Sequence, residues 1–257
     1  MRVSVTLIGG GRIGMALATQ SALAHWPCTL LTRDGAWGAL QVPAGSPIVL
    51  CVRNDDLAEV LARIPPQRRP DLALVQNGML RPWLRSHDLD DVSRGLLFFA
   101  VAQRGERPQP GGISLLCGPH AQLLANWLNA LQIPSQAVDP PTFAQVELEK
   151  LLWNTTMGAL CQRHGCTVAE AVTVHHPQLV ALVDELAPLA AAELGVSWQR
   201  DELGNWVARL KAYSLSIADY RAAVKEPAWR NGWFVHQAVA LGRATPVHTA
   251  LLAAIGS

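Results

Sequence analysis

Short apolar runs alternate with helix-like stretches through the first half of the chain. The apolar runs are rich in Val, Ile and Leu and end at turn residues, as buried strands do. Three stretches between them, Met15–Ala24, Asp56–Arg63 and His120–Leu131, repeat apolar residues at helical spacing. Strands that alternate with helices predict a largely parallel sheet in an α/β domain. The predicted strands are Val3–Ile8, Thr29–Thr32, Ile48–Val52, Leu72–Val75, Leu96–Ala102 and Gly112–Cys117.

The strand pattern stops at Thr142, and only helical periods follow. The segment "VDPPT" at 138–142 precedes this change, and its paired prolines predict a joint because proline continues neither a helix nor a central strand. We therefore expect an α/β domain over residues 1–140 and an all-helical domain over residues 141–257. The predicted helices of the second domain are Phe143–Arg163, Pro177–Leu194, Asp201–Ala212, Trp229–Leu241 and Val247–Ile255.

The helical segment from Val146 to Leu160 carries two polar residues on an otherwise apolar face. Lys150 and Asn154 are four residues apart, so their side chains lie one above the other on a helix. A lysine beside core-facing leucines is unfavourable unless its ammonium group reaches water or has a function. Lys150 is therefore a candidate functional residue.

Composition and charge narrow the classes of partner. The chain has 257 residues, of which 50% are hydrophobic and 16% are charged, and its formal net charge is +1. A net charge near zero gives no electrostatic reason to expect nucleic acid or an anionic membrane as a partner. No apolar run approaches the roughly 18 residues that a membrane span needs. The first residues lead into a strand without a signal-peptide pattern.

The cysteines favour a reduced, cytoplasmic protein. There are five, an odd number, and they are scattered along the chain, which is the usual pattern of a protein without disulfides. The segment "CQRHGC" at 161–166 lacks a second cluster at ligand spacing. We therefore expect no metal site, and interpret this segment as packing at a helix end.

A glycine-rich turn follows the first predicted strand. Gly9, Gly11 and Gly14 have the spacing Gly-x-Gly-x-x-Gly and precede an apolar helix. In such a loop the first glycine permits a tight turn, the second lets the backbone approach a pyrophosphate, and the third lets helix and strand pack closely. The N–H groups and dipole of the helix N-terminus then favour phosphate. The alternative is a turn that merely packs, but its place in the first strand–helix unit favours a Rossmann-type dinucleotide-binding domain.

The residues that follow the second and third strands favour NADP(H) over NAD. An enzyme that uses NAD usually has Asp or Glu at the end of the second strand, where it binds the ribose hydroxyls. Here Thr32 occupies that position, Arg33 follows it, and Arg53 follows the third strand at the same edge. Both guanidinium groups are suited to a 2′-phosphate. Asp34 argues for NAD, and each arginine is alternatively a solvated residue at a strand end.

Four segments occur in an order and spacing that resemble one enzyme family. They are "LIGGGRIG" (7–14), "LVQNGM" (74–79), "EKLLWN" (149–154) and "KEPAWRNG" (225–232). Together they resemble the signatures of the ketopantoate reductases, also called 2-dehydropantoate 2-reductases, over nearly the full chain. The resemblance implies a Rossmann-type domain followed by a helical substrate-binding domain. It also implies hydride transfer from NADPH to the ketone of a 2-oxo acid, which is a step of pantothenate biosynthesis when that acid is ketopantoate.

The resemblance also implies roles for individual residues. Lys150 matches the family lysine that protonates the nascent alkoxide, and it would converge with Asn77 and Glu226 on a cleft between the domains. Asn77 matches an asparagine that orients the carbonyl or the lysine, with an ordinary Asn-Gly turn as the alternative. Glu226 matches a glutamate that contacts cofactor and substrate, with a helix-dipole contact as the alternative. Asn154 and Ser214 match substrate-binding residues. The implied cofactor-binding residues are Gly9, Gly10, Gly11, Arg12, Ile13, Gly14, Arg33, Arg53, Asn77, Ala102 and Glu226.

Two positions depart from the family pattern. A second family asparagine, one turn beyond Asn154, is replaced by Gly158, and a further substrate asparagine is replaced by Lys211. The leading interpretation is an NADPH-dependent reductase of a 2-oxo acid, with that small molecule as its partner. The changed positions favour a non-catalytic NADP-binding regulatory protein, whereas the retained Lys150, Asn77 and Glu226 argue against it. A further alternative is a reductase of another ketone or imine. The apolar late helices would allow a homodimer.

Overall fold

The two halves of the chain form separate compact units. The structure, a computed structural model, describes residues 2–41 and 45–256. The first unit comprises the described residues up to Asn77 together with Pro82–Phe143, and we call it the sheet unit. The second comprises Gly78–Arg81 and the described residues from Ala144 onward, and we call it the helical unit.

The strands of the sheet unit are short, and most are buried. They are β1 (Val5–Ile8), β2 (Cys28–Leu31), β3 (Ile48–Leu50), β4 (Leu72–Leu74), β5 (Ser93–Leu96), β6 (Phe99–Ala100), β7 (Gln109–Pro110), β8 (Ser114–Cys117) and β9 (Ser135–Ala137). Seven form one sheet in the order β2-β1-β3-β4-β5-β8-β9, while β6 and β7 pair separately. Neighbours in the large sheet are parallel except β5 and β8. The predicted parallel-dominated sheet is confirmed.

The order of the strands creates a topological switch point at one end of the sheet. Because β2 and β3 lie on opposite sides of β1, the carboxyl end of β1 is a topological switch point, where such sheets bind ligands. The core below it joins Val5, Leu7 and Val49 of the sheet to Trp127. The indole N–H of Trp127 donates to Ser21 Oγ at 3.0 Å, so the buried ring has its polar partner. The helices of this part of the chain are α1 (Arg12–Leu23), α2 (Leu57–Arg63), α3 (Arg81–Ser86) and α4 (Ala121–Ala130).

The strand predicted from Leu96 to Ala102 is wrong in its bounds, because β5 ends at its first residue and β6 covers only two of the others. The start of β5 is too polar to be predicted as a buried strand, yet its polar groups are satisfied. Ser93 Oγ accepts from the backbone N–H of His120 at 2.8 Å. The guanidinium of Arg94 lies 4.7 Å from the centre of the Phe143 ring. Strands β7 and β9 were not predicted because their residues have little strand propensity.

The paired prolines start a helix instead of separating two elements. Helix α5 runs from Pro140 to His164, so the prediction that it begins at Phe143 is wrong. Proline is tolerated there because the first N–H groups of a helix have no carbonyl partner within it. Asp139 Oδ1 accepts from the backbone N–H of Thr142 at 2.8 Å and so satisfies one of those N–H groups.

The helical unit confirms the prediction that the second half of the chain is helical. Its core joins Leu152 of α5 to side chains of the later helices, among them Leu186, Leu210 and Phe234. Among the described residues, no helix is both long and apolar enough to cross a membrane. The helices after α5 are α6 (Val168–Thr173), α7 (His176–Leu194), α8 (Leu203–Ser216), α9 (Asn231–Ala240) and α10 (Pro246–Ile255).

A short segment that follows β4 belongs to the helical unit. Gly78 has φ of +107°, and a Cβ there would lie 2.7 Å from the carbonyl oxygen of Trp229. The backbone N–H of Met79 donates to that oxygen at 2.8 Å. Arg81 Nη2 pairs with Glu147 Oε2 at 2.8 Å. The sequence pattern predicted a single boundary near residue 140. That boundary does not account for Gly78–Arg81, which belong to the helical unit although they come earlier in the chain.

Candidate functional site

The loop between β1 and α1 gives each motif glycine a separate role. Gly9 has φ of +117°, which side chains rarely adopt. A Cβ on Gly14 would lie 1.9 Å from the carbonyl oxygen of Gly9, so glycine is needed for α1 to start this close to β1. Gly11 is the N-cap of α1, and the described atom nearest to a Cβ built there is Cys51 O at 4.0 Å. That space lets a phosphate reach the N–H groups at the start of α1.

A cavity of about 430 Å³ opens beside this loop, at the carboxyl ends of β1, β2 and β3. It lies at the switch point of the sheet. Arg33 follows β2 and Arg53 follows β3, and both line the cavity. The cavity therefore brings the predicted phosphate loop and the two predicted arginines together. The charged residues that line it are Arg33, Asp34, Arg53, Asp56, Glu59, Arg63 and Arg104.

Trp37 and Arg63 line the same cavity, although the sequence did not indicate either of them. The guanidinium carbon of Arg63 lies 3.7 Å from the centre of the Trp37 ring, and Nη1 donates to the carbonyl oxygen of Arg33 at 3.0 Å. The indole N–H of Trp37 donates to Thr32 O at 3.0 Å. Stacking on an aromatic face restrains an arginine side chain. Stacking on Trp37 thus orders the guanidinium of Arg63 in the cavity, although the two residues are distant in sequence.

The remaining predicted cofactor-binding residues of the sheet unit lie around the loop. Gly10 lines the cavity. Arg12 Nη1 donates to the carbonyl oxygen of Ala102 at 3.2 Å, which joins the start of α1 to the segment after β6. Ile13 is half-buried and packs against the core of the sheet unit. Ile13 is therefore a packing residue of the sheet unit as well as a predicted cofactor-binding residue.

Asn77 follows β4, and one amide side chain bonds its backbone while the amide of its neighbour holds the end of the strand. Its carbonyl oxygen accepts from Asn54 Nδ2 at 2.8 Å. The neighbouring Gln76 Nε2 donates to Leu50 O at 2.8 Å, which ties the end of β4 to the end of β3. Asn77 therefore has a defined place at the carboxyl edge of the sheet. Its predicted approach to residues of the helical unit stays a prediction.

In the helical unit, Lys150 and Asn154 lie one turn apart on α5. Asn154 Nδ2 donates to the carbonyl oxygen of Lys150 at 2.8 Å, and this bond orients the carboxamide. Lys150 is half-buried. Burial, and secondly the positive charge of Arg230, lower the pKa of Lys150 to about 7. A lysine with this pKa can give up a proton and regain it near neutral pH.

Arg230 connects the predicted residues of the helical unit to one another, although the sequence did not indicate it. Arg230 Nη2 donates to Glu226 Oε2 at 2.9 Å, and Nη1 donates to Asn154 Oδ1 at 3.3 Å. Arg230 is only 6% exposed, and burial lowers its pKa while Glu226 opposes that shift. Its sequence signal is weak, because it consists only of the four-residue spacing from Glu226. The structure thus brings Asn154, Glu226 and Arg230 together.

The departure from the family pattern at Gly158 has a packing reason. A Cβ on Gly158 would lie 3.0 Å from the carbonyl oxygen of Ala223, so the chain ahead of Glu226 packs directly on α5. Asn231 continues this packing, because its Nδ2 lies 3.5 Å from Thr155 O and 3.1 Å from His248 Nε2. An asparagine in place of Gly158 would push this segment away from the helix.

Ser214 lies inside the helical unit, and its predicted contact with a substrate stays a prediction. Ser214 is fully buried, and its Oγ accepts from the indole N–H of Trp153 at 2.9 Å and donates to Leu210 O at 2.9 Å. Its hydroxyl group is therefore engaged inside the helical unit and orients Trp153. Lys211, on the same helix, is half-buried.

In the part of the chain that the structure describes, no group of three or more His, Cys, Asp or Glu side chains could hold a metal ion. The five cysteines are free thiols. Burial raises the pKa of Cys161 to about 12, so its thiolate is scarce at neutral pH.

Comparison with solved structures identifies the class of fold. No family model and no curated protein sequence matches the chain. A D-mandelate dehydrogenase with NADH and anilino(oxo)acetate has a TM-score of 0.77 and 14% identity, and the match covers 98% of this chain and 97% of that chain. A PanE/ApbA family ketopantoate reductase from Ralstonia eutropha JMP134 has a TM-score of 0.72 and 19% identity, with the same coverage. A dimeric ketopantoate reductase from Staphylococcus aureus has a TM-score of 0.69 and 15% identity, and the match covers 98% of each chain.

These similarities establish the fold over nearly the whole chain. The protein has the two-part fold of the ketopantoate reductases, with a Rossmann-type sheet unit followed by a helical unit. The resemblance carried by the four sequence segments is thus confirmed at the level of the fold. Function at such low identity must be argued from the residues of the site.

Proposed function

We propose that the protein is an NADPH-dependent oxidoreductase that reduces the ketone of a 2-oxo acid to a 2-hydroxy acid. The observation that carries this proposal is Lys150, a half-buried lysine whose pKa is lowered to about 7. It lies one turn from Asn154, which Arg230 links to Glu226. The solved structures with the same fold include ketopantoate reductases and a D-mandelate dehydrogenase with NADH.

Lys150 is proposed to supply the proton of the reaction. When bound, the reduced nicotinamide supplies a hydride to the carbonyl carbon. The carbonyl oxygen takes a proton from Lys150 Nζ, so the ketone becomes an alcohol and the ammonium becomes a neutral amine. Burial favours this change because it disfavours the charged form of lysine. A proton from water then restores the ammonium group.

Asn77, Asn154 and Glu226 are proposed to orient the substrate. A carboxamide can donate to a carbonyl or carboxylate oxygen of the substrate, and the Glu226 carboxylate can accept from a hydroxyl group. Asn154 and Glu226 are both held by Arg230, so their positions do not depend on the substrate. Such prior ordering reduces the entropy that is lost when the reacting groups align.

The cavity of the sheet unit is proposed to hold the dinucleotide. Its fit rests on the open space at Gly11 and on the N-terminus of α1, which together suit a pyrophosphate. Arg33 and Arg53, which line the same cavity, would hold a 2′-phosphate. Thr32 stands where an NAD enzyme usually has an acid, and this supports NADP(H).

Replacement of Arg33 by alanine is expected to weaken NADPH binding tenfold or more and to leave NADH binding nearly unchanged. Tenfold corresponds to a loss of about 1.4 kcal/mol, the size of a charge-assisted hydrogen bond. Quenching of tryptophan fluorescence measures both affinities, since Trp37 lines the cavity. Arg107→Ala is the matched control, because Arg107 is an exposed arginine of the same unit that does not line it. Equal wild-type affinities for the two cofactors would refute the assignment of Arg33 and Arg53.

A panel of 2-oxo acids tests the reductase proposal. Loss of NADPH absorbance with ketopantoate, pyruvate or phenylglyoxylate, in equimolar amount with the hydroxy acid formed, is the expected result for at least one of them. An aryl member belongs in the panel because the D-mandelate dehydrogenase structure contains anilino(oxo)acetate. If the protein turned over only an imine, the alternative function, a reductase of another substrate, would be favoured. Tight NADPH binding without turnover of any ketone or imine would favour the non-catalytic alternative, which the changes at Gly158 and Lys211 support.

We also propose that the protein forms a homodimer. One of the structures with this fold is described as dimeric. Helix α9 exposes Val235 and Val239, the latter with 78% of its surface accessible. A second subunit that covered these valines would remove apolar surface from water.

A further inference from the structure

Arg230 is buried, although one of its donors has no hydrogen-bond partner among the described residues. A guanidinium group out of water is unfavourable unless its donors are satisfied. Arg68, another buried arginine, meets this demand with Asp71 at 2.7 Å and with the carbonyl oxygens of Leu40 and Ser46. Arg230 has Glu226 and Asn154, but its Nε has no hydrogen-bond partner among the described residues.

The backbone around Arg230 is arranged to bring its side chain to these two partners. Glu226 has φ of +49°, a left-handed conformation that is unfavourable for a residue with a side chain. A 3₁₀ turn, Pro227–Trp229, follows and places Glu226 and Arg230 four residues apart on one side. The contact of Gly158 with Ala223 packs the start of this segment on α5. Strain and close packing thus hold the guanidinium against Asn154.

The partners of Arg230 are two residues that the proposed function places at the reacting centre. We propose that Arg230 is a positioning residue of this centre, which fixes the Glu226 carboxylate and the Asn154 carboxamide and whose charge promotes proton release from Lys150. This inference rests on the proposed function, because it assigns Arg230 a task only if Lys150 gives a proton to a substrate. None of the four sequence segments indicated such a task for Arg230.

The effect of each neighbouring charge on the pKa of Lys150 has a definite direction. A cation beside an ammonium group lowers its pKa, and an anion raises it. Loss of the Arg230 charge should therefore raise the pKa of Lys150, and loss of the Glu226 charge should lower it. The other ionisable groups on the neighbouring segments of the unit include Tyr220, which interacts with Arg230, the exposed Lys225 beside Glu226, and Glu147 and Glu149 of α5. The two glutamates are paired with Arg81 and Arg209.

The chain offers a direct measurement, because it contains only three lysines, at 150, 211 and 225. Reductive methylation with ¹³C-formaldehyde labels all three, and comparison with Lys150→Met assigns the NMR signal of Lys150. We expect Arg230→Met to raise the titration midpoint of Lys150 by about one pH unit or more. We expect Glu226→Gln to lower it. Arg200→Met is the matched control, since Arg200 is an exposed arginine of the same unit that pairs with Asp184, and it should leave the midpoint in place.

The kinetic readout separates charge from geometry. Arg230→Lys keeps the positive charge but not the planar fork that reaches Glu226 and Asn154 together. It should leave the Lys150 midpoint low and still reduce kcat tenfold or more. This variant also keeps the inference testable if Arg230→Met does not fold. Wild-type turnover by Arg230→Lys would overturn the positioning role.

The two proposals can fail separately. Suppose that turnover of a ketone requires Lys150, while Arg230→Met leaves both the Lys150 midpoint and kcat unchanged. The inference about Arg230 is then wrong and the proposed function stands. If instead Lys150→Met turns over at the wild-type rate, the proposed function fails, and the role of Arg230 fails with it. Opposite shifts of the midpoint in Arg230→Met and Glu226→Gln, together with loss of kcat in Arg230→Lys, are the results that support the inference.

Discussion

Replacement of Lys150 by methionine is expected to remove nearly all turnover and at the same time to stabilise the protein. Turnover should fall by about 10²–10⁴, which is the usual contribution of a positioned acid. NADPH affinity should stay within about twofold, because the residues proposed to bind phosphate belong to the sheet unit. Steady-state reduction of an accepted 2-oxo acid and fluorescence titration with NADPH measure the two effects.

The gain in stability follows from the pKa of the lysine. In the unfolded chain the ammonium group keeps a pKa near 10.5, whereas in the folded protein the pKa is about 7. The unfolded state therefore binds the proton more tightly, and stability of the wild-type protein rises as pH increases from about 7 to 10.5. Methionine removes this penalty, so the gain should be largest at and below pH 7. Each kcal/mol gained should raise the melting temperature by roughly 2–4 °C.

Two further substitutions control this experiment. Lys225→Met removes an exposed lysine of the same unit and should change neither turnover nor melting temperature by much. Lys150→Arg should not restore turnover, because guanidinium does not release its proton near neutral pH. If the Met variant were more stable and turned over at the wild-type rate, Lys150 would be only a poorly solvated helix residue.

The second large effect concerns the glycine loop, where two alanine substitutions should fail for different reasons. Gly14→Ala places a Cβ 1.9 Å from the carbonyl oxygen of Gly9, so α1 must move away from β1. We expect a loss of about 1–3 kcal/mol in the free energy of unfolding, as for other overpacked sites, together with loss of NADPH binding. Gly11→Ala places its methyl group in open space, and we expect a change in stability below about 1 kcal/mol.

Gly11→Ala should nevertheless weaken NADPH binding tenfold or more, because the methyl group occupies the space proposed for the pyrophosphate. Urea unfolding and fluorescence titration of the same samples separate the two outcomes. Gly204→Ala is the control, since Gly204 lies in α8 with no atom of the described residues within 4 Å of a Cβ built there. A Gly11→Ala variant that binds NADPH like the wild-type protein would contradict the placement of the pyrophosphate.

The parts of the fold that follow from local pattern were predictable. The glycine loop combines a spacing of three glycines with a strand before it and a helix after it, and each of these features is local. The change from strand to helical periods likewise separated a sheet-forming half from a helical half. The start of β5 was not predicted as a strand because it is polar. Ser93 and Arg94 are nevertheless buried there, since the Ser93 hydroxyl bonds to the backbone of His120 and the Arg94 guanidinium lies over the Phe143 ring.

The features that the sequence did not indicate depend on contacts between distant residues. Arg230 meets Asn154 only because Gly158 lets the segment after α8 pack on α5, and no local pattern encodes that approach. Arg63 and Trp37 stack across the cavity for the same kind of reason. The role of Ser214 was inferred from resemblance alone, and no local pattern indicates that its hydroxyl group accepts from the indole of Trp153.

The pH dependence of kcat/KM for an accepted 2-oxo acid, at saturating NADPH, tests the central claim most directly. The claim is that Lys150 must be protonated for the ketone to be reduced. Since kcat/KM reports ionisations that precede substrate binding, it should be level below pH 7 and fall about tenfold per pH unit above it, with a midpoint near the Lys150 pKa of about 7. A profile that stays level to about pH 9, or that rises through this range, would contradict the account.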